Sequence, residues 1–197
     1  ASGAAAIKAA KTAIEAGEVE YALVIGVEKM TALDTRGVSK VLSKASYWPE
    51  EGAKGMTFPG LFAEFAKGYK KEYGLSDEEL STVLSKIAAK NHRNALENPL
   101  SQMPLDCTYQ DIMDKPDDKN PMIAEPLRLL DCSLVSDGAA AVVLTSTEKA
   151  KKLSGDAIEI AALTHVTDYL SMDKRPKAEL VATKRAVKQA YDKVGIT

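Results

Sequence analysis

Two cysteines, Cys107 and Cys132, and two histidines, His92 and His165, are the only side chains of their kinds in 197 residues. A zinc site would need more than these four residues, whose spacings match no ligand pattern, so no metal is expected. No Gly-X-Ser-X-Gly elbow, phosphate-cradling glycine loop or dinucleotide fingerprint is present; Gly26 is a single glycine at a strand end. Cys132 follows Asp131, whose negative charge is expected to raise the thiol pKa and leave it inert. Cys107 lies in irregular sequence with no activating base beside it. His92 stands late on an amphipathic stretch, where a polar helix-end role outweighs a catalytic one. His165 follows an apolar run and is better placed for a site, but a structural or surface role is preferred. None of these side chains shows an activating partner in the sequence, and a Ser-His-Asp arrangement is left open.

The most informative stretch runs from Glu125 to Ala141: a polar loop containing Ser133 and Ser136, then Asp137, Gly138 and three alanines. Small residues there let neighbouring backbone approach closely, and the two serines supply hydroxyls at the edge of a layered fold.

The elements that must position these residues follow from periodicity. Ala4 to Ala16 reads as a helix with Ile7, Ala10 and Ile14 at helical spacing, capped by Ser2 and stopped by Gly17. Tyr21 to Val27 is an unbroken apolar run, the mark of a strand covered on both faces in a parallel sheet. From Glu28 to about Pro126 the texture changes, with most of the prolines and most of the aromatics. Leu61, Phe65, Tyr69 and Tyr73 step by four on a helix that Gly74 ends. Ser76 to Glu79 forms a capping box, with Leu80, Val83, Leu84, Ile87 and Ala88 on one face. Pro104 to Pro126 shows no period and reads as a long loop. Layered character returns with a strand at Ala139–Leu144, a helix from Thr147 to Leu153 capped by Thr147, and a strand at Ile158–Leu163. A last helix starts at Pro176, with Leu180, Val187 and Val194 inward, and ends at Gly195.

Composition bounds the function. The chain is 45% hydrophobic and 27% charged, enough for a core and too apolar for a disordered segment. Lys plus Arg number 26 and Asp plus Glu 28, so the net charge of -2 argues against nucleic acid or an anionic membrane as partner. Few cysteines and no transmembrane-length run point to a cytoplasmic home. Both ends read as cut, since the chain opens on Ala1 without methionine and stops just past a helix.

In family order, four segments resemble the thiolases. Arg128 to Leu144, with Asp131, Ser133, Ser136, Asp137 and Gly138, is similar to the pattern that closes the inserted loop domain and re-enters the core sheet. Ala1 to Ala6 resembles the helix start directly after the nucleophilic cysteine. Leu23 to Thr31 resembles the next strand and its loop. Lys90 to Ala95, with Asn98, Pro99 and Leu100, is similar to archaeal and sterol-carrier-type thiolases in particular.

The resemblance implies a partial thiolase-like layered α/β/α core with an inserted, mainly helical loop domain. Residues 1–27 would end the N-terminal half and 28–131 form the loop domain. Residues 132–154 would supply the return strand and helix, and 155–197 the start of the C-terminal half. It further implies a thiolase-type acyl-CoA acyltransferase of acetyl-CoA acetyltransferase type, present as a middle segment. The nucleophile would precede Ala1 and the remaining catalytic motifs would follow Thr197, so the segment alone is expected to be inactive. Ser133 matches a serine beside the pantetheine arm of coenzyme A, and Met30 a residue near the acyl pocket; both are substrate-binding candidates beside the bland readings of loop cap and core filler. Lys90 and Arg93 are basic candidates for the coenzyme A phosphates with no motif behind them. Coenzyme A thioesters would be substrates, with no separate cofactor. Expected partners are a second copy of the chain and, by analogy with archaeal relatives, HMG-CoA synthase and an OB-fold protein. The competing class is a non-catalytic acyl-CoA-binding or scaffold module.

Overall fold

A computed structural model describes residues 2–196. In chain order its elements are α1 (Ser2–Glu15), β1 (Tyr21–Glu28), α2 (Thr35–Leu42), α3 (Phe58–Tyr73), α4 (Asp77–Asn94) and α5 (Tyr109–Met113). There follow β2 (Met122–Ala124), β3 (Leu127–Arg128), β4 (Gly138–Thr145), α6 (Thr147–Leu153) and α7 (Val181–Val194). They group into two compact units. One comprises Ala1–Leu33, Val135–Asp168 and Val181–Thr197; the other comprises Asp34–Leu134 and Tyr169–Leu180.

In the first unit, α1 turns its half-buried Ile7, Ala10 and Ile14 to one side, at the spacing the sequence shows. Ser2 lies inside the helix and is not its cap. Gly17, at φ 73°, ends the helix as expected, and the Glu18 amide donates back to the Ala13 carbonyl at 3.0 Å.

β1 pairs with β4 antiparallel, Tyr21 opposite Thr145 through to Glu28 opposite Gly138. The parallel sheet expected here is therefore corrected. An unbroken apolar run reports how much cover a strand needs, and says nothing about which way its neighbour runs. Helix α1 packs against both strands, and Ala22, Val24 and Leu144 on one side are half-buried. On the other side Leu23 is 61% exposed and Val143 68%.

The strand expected at Ile158–Leu163 is also corrected: the segment has no ladder and is tied by single bonds to α7. There the Thr164 hydroxyl donates to the Ala186 carbonyl at 3.0 Å, and Lys193 donates to the Leu163 carbonyl at 3.3 Å. Helix α7 starts at Val181, five residues after Pro176. Its half-buried residues are Val181, Ala182, Ala186 and Ala190, while Leu180, Val187 and Val194 are exposed. Ser146 caps α6, not Thr147; its hydroxyl accepts from the Lys149 amide.

In the second unit, caps set the helix starts. Asp34 caps α2 and Thr57 caps α3. The capping box read from Ser76 and Glu79 opens α4 with both of its bonds. The stripe expected along α3 begins buried at Leu61 and ends exposed at Tyr69 and Tyr73. Steps of four advance 40° past a full turn, so three of them rotate about a third of the way round the helix. On α4 the buried residues are Leu80, Ser85, Ala88 and Ala89, and Val83 and Ile87 face water.

The stretch expected as a structureless loop holds α5, opened by Thr108 and Asp111, and the β2–β3 pair. Ala88, Ala89, Ile112 and Leu130 make the core, with Met103, Leu105, Cys107 and Tyr109 packed on it. Residues 169–180 strap onto this unit. The buried Glu51 carboxylate accepts from the Tyr47 amide at 2.8 Å and from the Met172 amide at 2.6 Å. Lys177 pairs with Glu64 at 3.0 Å, and the Arg175 guanidinium lies 5.1 Å over the Phe65 ring.

Candidate functional site

The first unit offers a short loop fixed at the mouth of its strand ladder. β1 ends at Glu28, opposite Gly138, and the chain then turns through Lys29 to Met30 and Thr31. The residue before Gly138 is Asp137. Its Oδ1 accepts from the Met30 amide at 2.7 Å and from the Thr31 amide at 2.9 Å, and the Thr31 hydroxyl donates to Oδ2. The hydroxyl, and then the amides, stabilise the charged form and hold this carboxyl below its ordinary pKa. Met30 itself is half-buried. In the same unit the first turn of α1 is open, with Ser2, Gly3 and Ala4 exposed.

The second unit carries Ser133, exposed in the loop that follows a 3-10 turn at Leu129–Asp131. That turn is held from several sides. The Asp131 carboxylate accepts from the Arg128 amide at 2.8 Å. Asn120, only 1% exposed, accepts from the Leu130 amide at 3.0 Å. Arg128 donates to Asp117 at 2.6 Å and to the Asn120 carbonyl at 2.9 Å. His92 reaches over from α4: Nδ1 lies 3.0 Å from the Met103 carbonyl and Nε2 3.3 Å from the Leu130 carbonyl. The polar helix-end histidine read from the sequence thus lies between three segments, each ring nitrogen facing a backbone carbonyl.

Burial pushes the Asp131 carboxyl up, against the pull of the Arg128 amide. Cys132 is also pushed up, by burial first and by the Asp131 charge second; the sequence pointed only to the charge. Cys107 is raised by burial and then by Asp111. His165 is exposed in the first unit. With both thiols held protonated and His92 committed to carbonyls, these residues assemble no activated nucleophile–base pair. Among the described residues no group of three His, Cys, Asp or Glu side chains could hold a metal ion.

Met30 belongs to one unit and Ser133 to the other, so each is placed within its own surroundings. A groove of about 870 Å³ runs beside α4 in the second unit, with Lys86, Lys90 and Arg93 along it. Its cations are partly spoken for: Lys86 lies over the Tyr109 ring at 5.1 Å and Arg93 stands 4.0 Å from Asp106. Sequence reasoning missed Asp137, Asn120 and Glu51 as organising residues. Each acts across a gap in the chain that no periodicity records. The Asp-Gly step at 137–138 signals a turn but not a partner more than a hundred residues earlier.

The profile described as "Thiolase, N-terminal domain" matches residues 1–148. The chain belongs to the thiolase family. Acetyl-CoA acetyltransferase of Methanocaldococcus jannaschii is 39% identical over 197 residues, covering 96% of this chain and 47% of the relative. Acetyl-CoA acetyltransferase of Methanothermobacter thermautotrophicus is 33% identical over 198 residues, covering 100% of this chain and 49% of the relative. This thiolase-family chain thus spans about half the length of the curated relatives it matches. Among solved structures, the "Ltp2-ChsH2(DUF35) aldolase" superposes with a TM-score of 0.72 at 23% identity, over 99% of this chain and 50% of that one, which bears on fold alone. The thiolase-like α/β fold with helical content inserted in sequence is therefore established. No helix among the described residues is long and apolar enough to cross a membrane.

Proposed function

We propose that the chain is a segment of a thiolase-type acyl-CoA acyltransferase that joins or splits acyl groups carried on coenzyme A. The observation that carries this is the match to two acetyl-CoA acetyltransferases over essentially the whole chain. In the whole enzyme a cysteine ahead of Ala1 would take the acyl group from one acyl-CoA and release free coenzyme A. A base would then deprotonate a second acyl-CoA, and Claisen condensation or its reverse would follow.

The segment would contribute α1, whose exposed first turn offers free N–H groups and the positive end of a helix dipole. That setting favours a thiolate and a developing oxyanion placed just before it. Ser133 would face the pantetheine arm and Met30 the acyl pocket. Residues 1–27 and 132–154 would belong to the N-terminal half, 28–131 to the loop domain and 155–197 to the C-terminal half. The setting is cytoplasmic, the substrates are coenzyme A thioesters with no further cofactor, and the assembly is a homo-oligomer. A protein partner is part of this reading, of the HMG-CoA synthase or OB-fold kind; the solved neighbour is named for Ltp2 together with ChsH2 (DUF35).

The test follows thiolysis of acetoacetyl-CoA. The purified 197-residue chain is expected to give no turnover, and the same segment within a thiolase-length protein with a cysteine before Ala1 is expected to turn over and to lose activity on replacement of that cysteine by serine. Turnover by the chain alone, or activity indifferent to that cysteine, overturns the reading. Binding of acyl-CoA without turnover in either protein favours the scaffold module.

A further inference from the structure

We propose that Asp137 is the positioning residue for the acyl-facing loop, fixing the backbone at Met30 and Thr31 so that the Met30 side chain is presented to the acyl group. The inference rests on the thiolase reading of Met30, and its geometry lies wholly within the first unit. The β1–β4 ladder stops at the pair Glu28 and Gly138; the Lys29 amide then donates to the Glu28 carboxylate at 3.1 Å, and the amides of Met30 and Thr31 after it have no strand partner. One carboxylate takes both of them, at 2.7 Å and 2.9 Å, and the Thr31 hydroxyl closes the second oxygen. A carboxylate receiving several N–H and O–H donors is a stiff, charge-assisted anchor.

An aspartate before a glycine ordinarily serves its own turn by bonding to amides one or two residues on. Asp137 instead spends its oxygens on residues 106 and 107 positions away. That choice fixes the loop leaving β1 and not the turn into β4. The short side chain sets the distance: alanine would leave both amides to water, whereas asparagine keeps an acceptor oxygen in the same place and can exchange donor roles with the Thr31 hydroxyl.

The experiment compares the 197-residue chain with Asp137→Ala and Asp137→Asn by amide hydrogen exchange and by the methyl signal of Met30 during titration with acetyl-CoA and octanoyl-CoA. In Asp137→Ala the amides of Met30 and Thr31 are expected to exchange about tenfold faster, those of Val24 and Ile25 in the ladder remaining within about twofold. In Asp137→Asn they stay near wild type. In wild type and Asp137→Asn the Met30 methyl responds to both thioesters; in Asp137→Ala the ratio of the two affinities shifts at least about threefold. A merely structural aspartate would slow or speed the whole ladder and leave that ratio alone. Unchanged exchange at Met30 and Thr31 in Asp137→Ala, or an unchanged affinity ratio, overturns the role of Asp137. Faster exchange in the variant with no methyl response in wild type overturns the acyl-pocket reading of Met30, and with it the positioning role.

Discussion

Asp131 and Asp137 lie six residues apart, and their surroundings drive their carboxyls in opposite directions. Asp137 is stabilised as the anion by the donors of Thr31 and Met30, whereas Asp131 is half-buried beside the core and pushed up by burial. For Asp137, the lowered folded pKa means a contribution present above the ordinary aspartate range and lost as pH falls through the depressed value. For Asp131 the sign reverses: its contribution is complete below the ordinary range, about 4, and is lost as pH rises through the elevated folded value. Asp131→Asn keeps an acceptor for the Arg128 amide and removes the buried charge. It is expected to raise the thermal midpoint at pH 7 by a few degrees relative to the unsubstituted chain, and to show little difference from it near pH 3. Thermal melts of both proteins between pH 3 and 7 read this directly; a gap largest at pH 3 contradicts the assignment. These residues also show what the sequence concealed. The neighbouring charge beside Cys132 was legible from its position after Asp131, but burial, the larger cause, is a property of the folded turn.

At the level of elements, the chain's local chemistry was readable and its long-range partners were not. The box at Ser76 and Glu79 and the stops at Gly17, Gly74 and Gly195 stand where the sequence places them, because caps involve residues three or four apart. The helix expected from Pro176 does not start there. Residues 171–177 are captured by Glu51, Glu64 and Phe65, and that capture outweighs the preference of proline for a first helical turn. Gly68 on α3 makes the capture possible. A Cβ placed on it would lie 2.4 Å from the Lys177 Cβ and 2.8 Å from the Lys177 carbonyl carbon, and neither can swing away as a side-chain tip would. Gly68→Ala would improve helix propensity on α3, yet it is expected to cost about 1–3 kcal/mol through overpacking. Limited proteolysis should then cut first within 169–180, where the unsubstituted protein resists. A substitution that stabilises the protein and leaves that segment protected would show that the strap yields more easily than its backbone contacts imply.

Over the whole molecule, the apolar run in β1 pointed to a strand covered on both faces of a parallel sheet, and the structure shows an antiparallel pair with one face exposed. Leu23, Ile25 and Val27 alternate onto one side of a two-stranded sheet, where Val143 and Ala141 join them across the ladder. None of that side is buried: Val27 is 74% exposed. A contiguous apolar surface on strands with free edges is a template for association. A chain spanning about half of its relatives' length has this face in water, whereas a strand so uniformly apolar is one that layered folds enclose. The isolated 197-residue protein is accordingly expected to self-associate with concentration. Val143→Lys sets a charge in the middle of the face while leaving the ladder hydrogen bonds in place, and should lower the association constant about tenfold or more. Sedimentation velocity over a hundredfold concentration range measures both. Equal association by Val143→Lys and the unsubstituted chain would move the sticky surface elsewhere, to the exposed aromatics Phe62, Tyr69 and Tyr73 of α3.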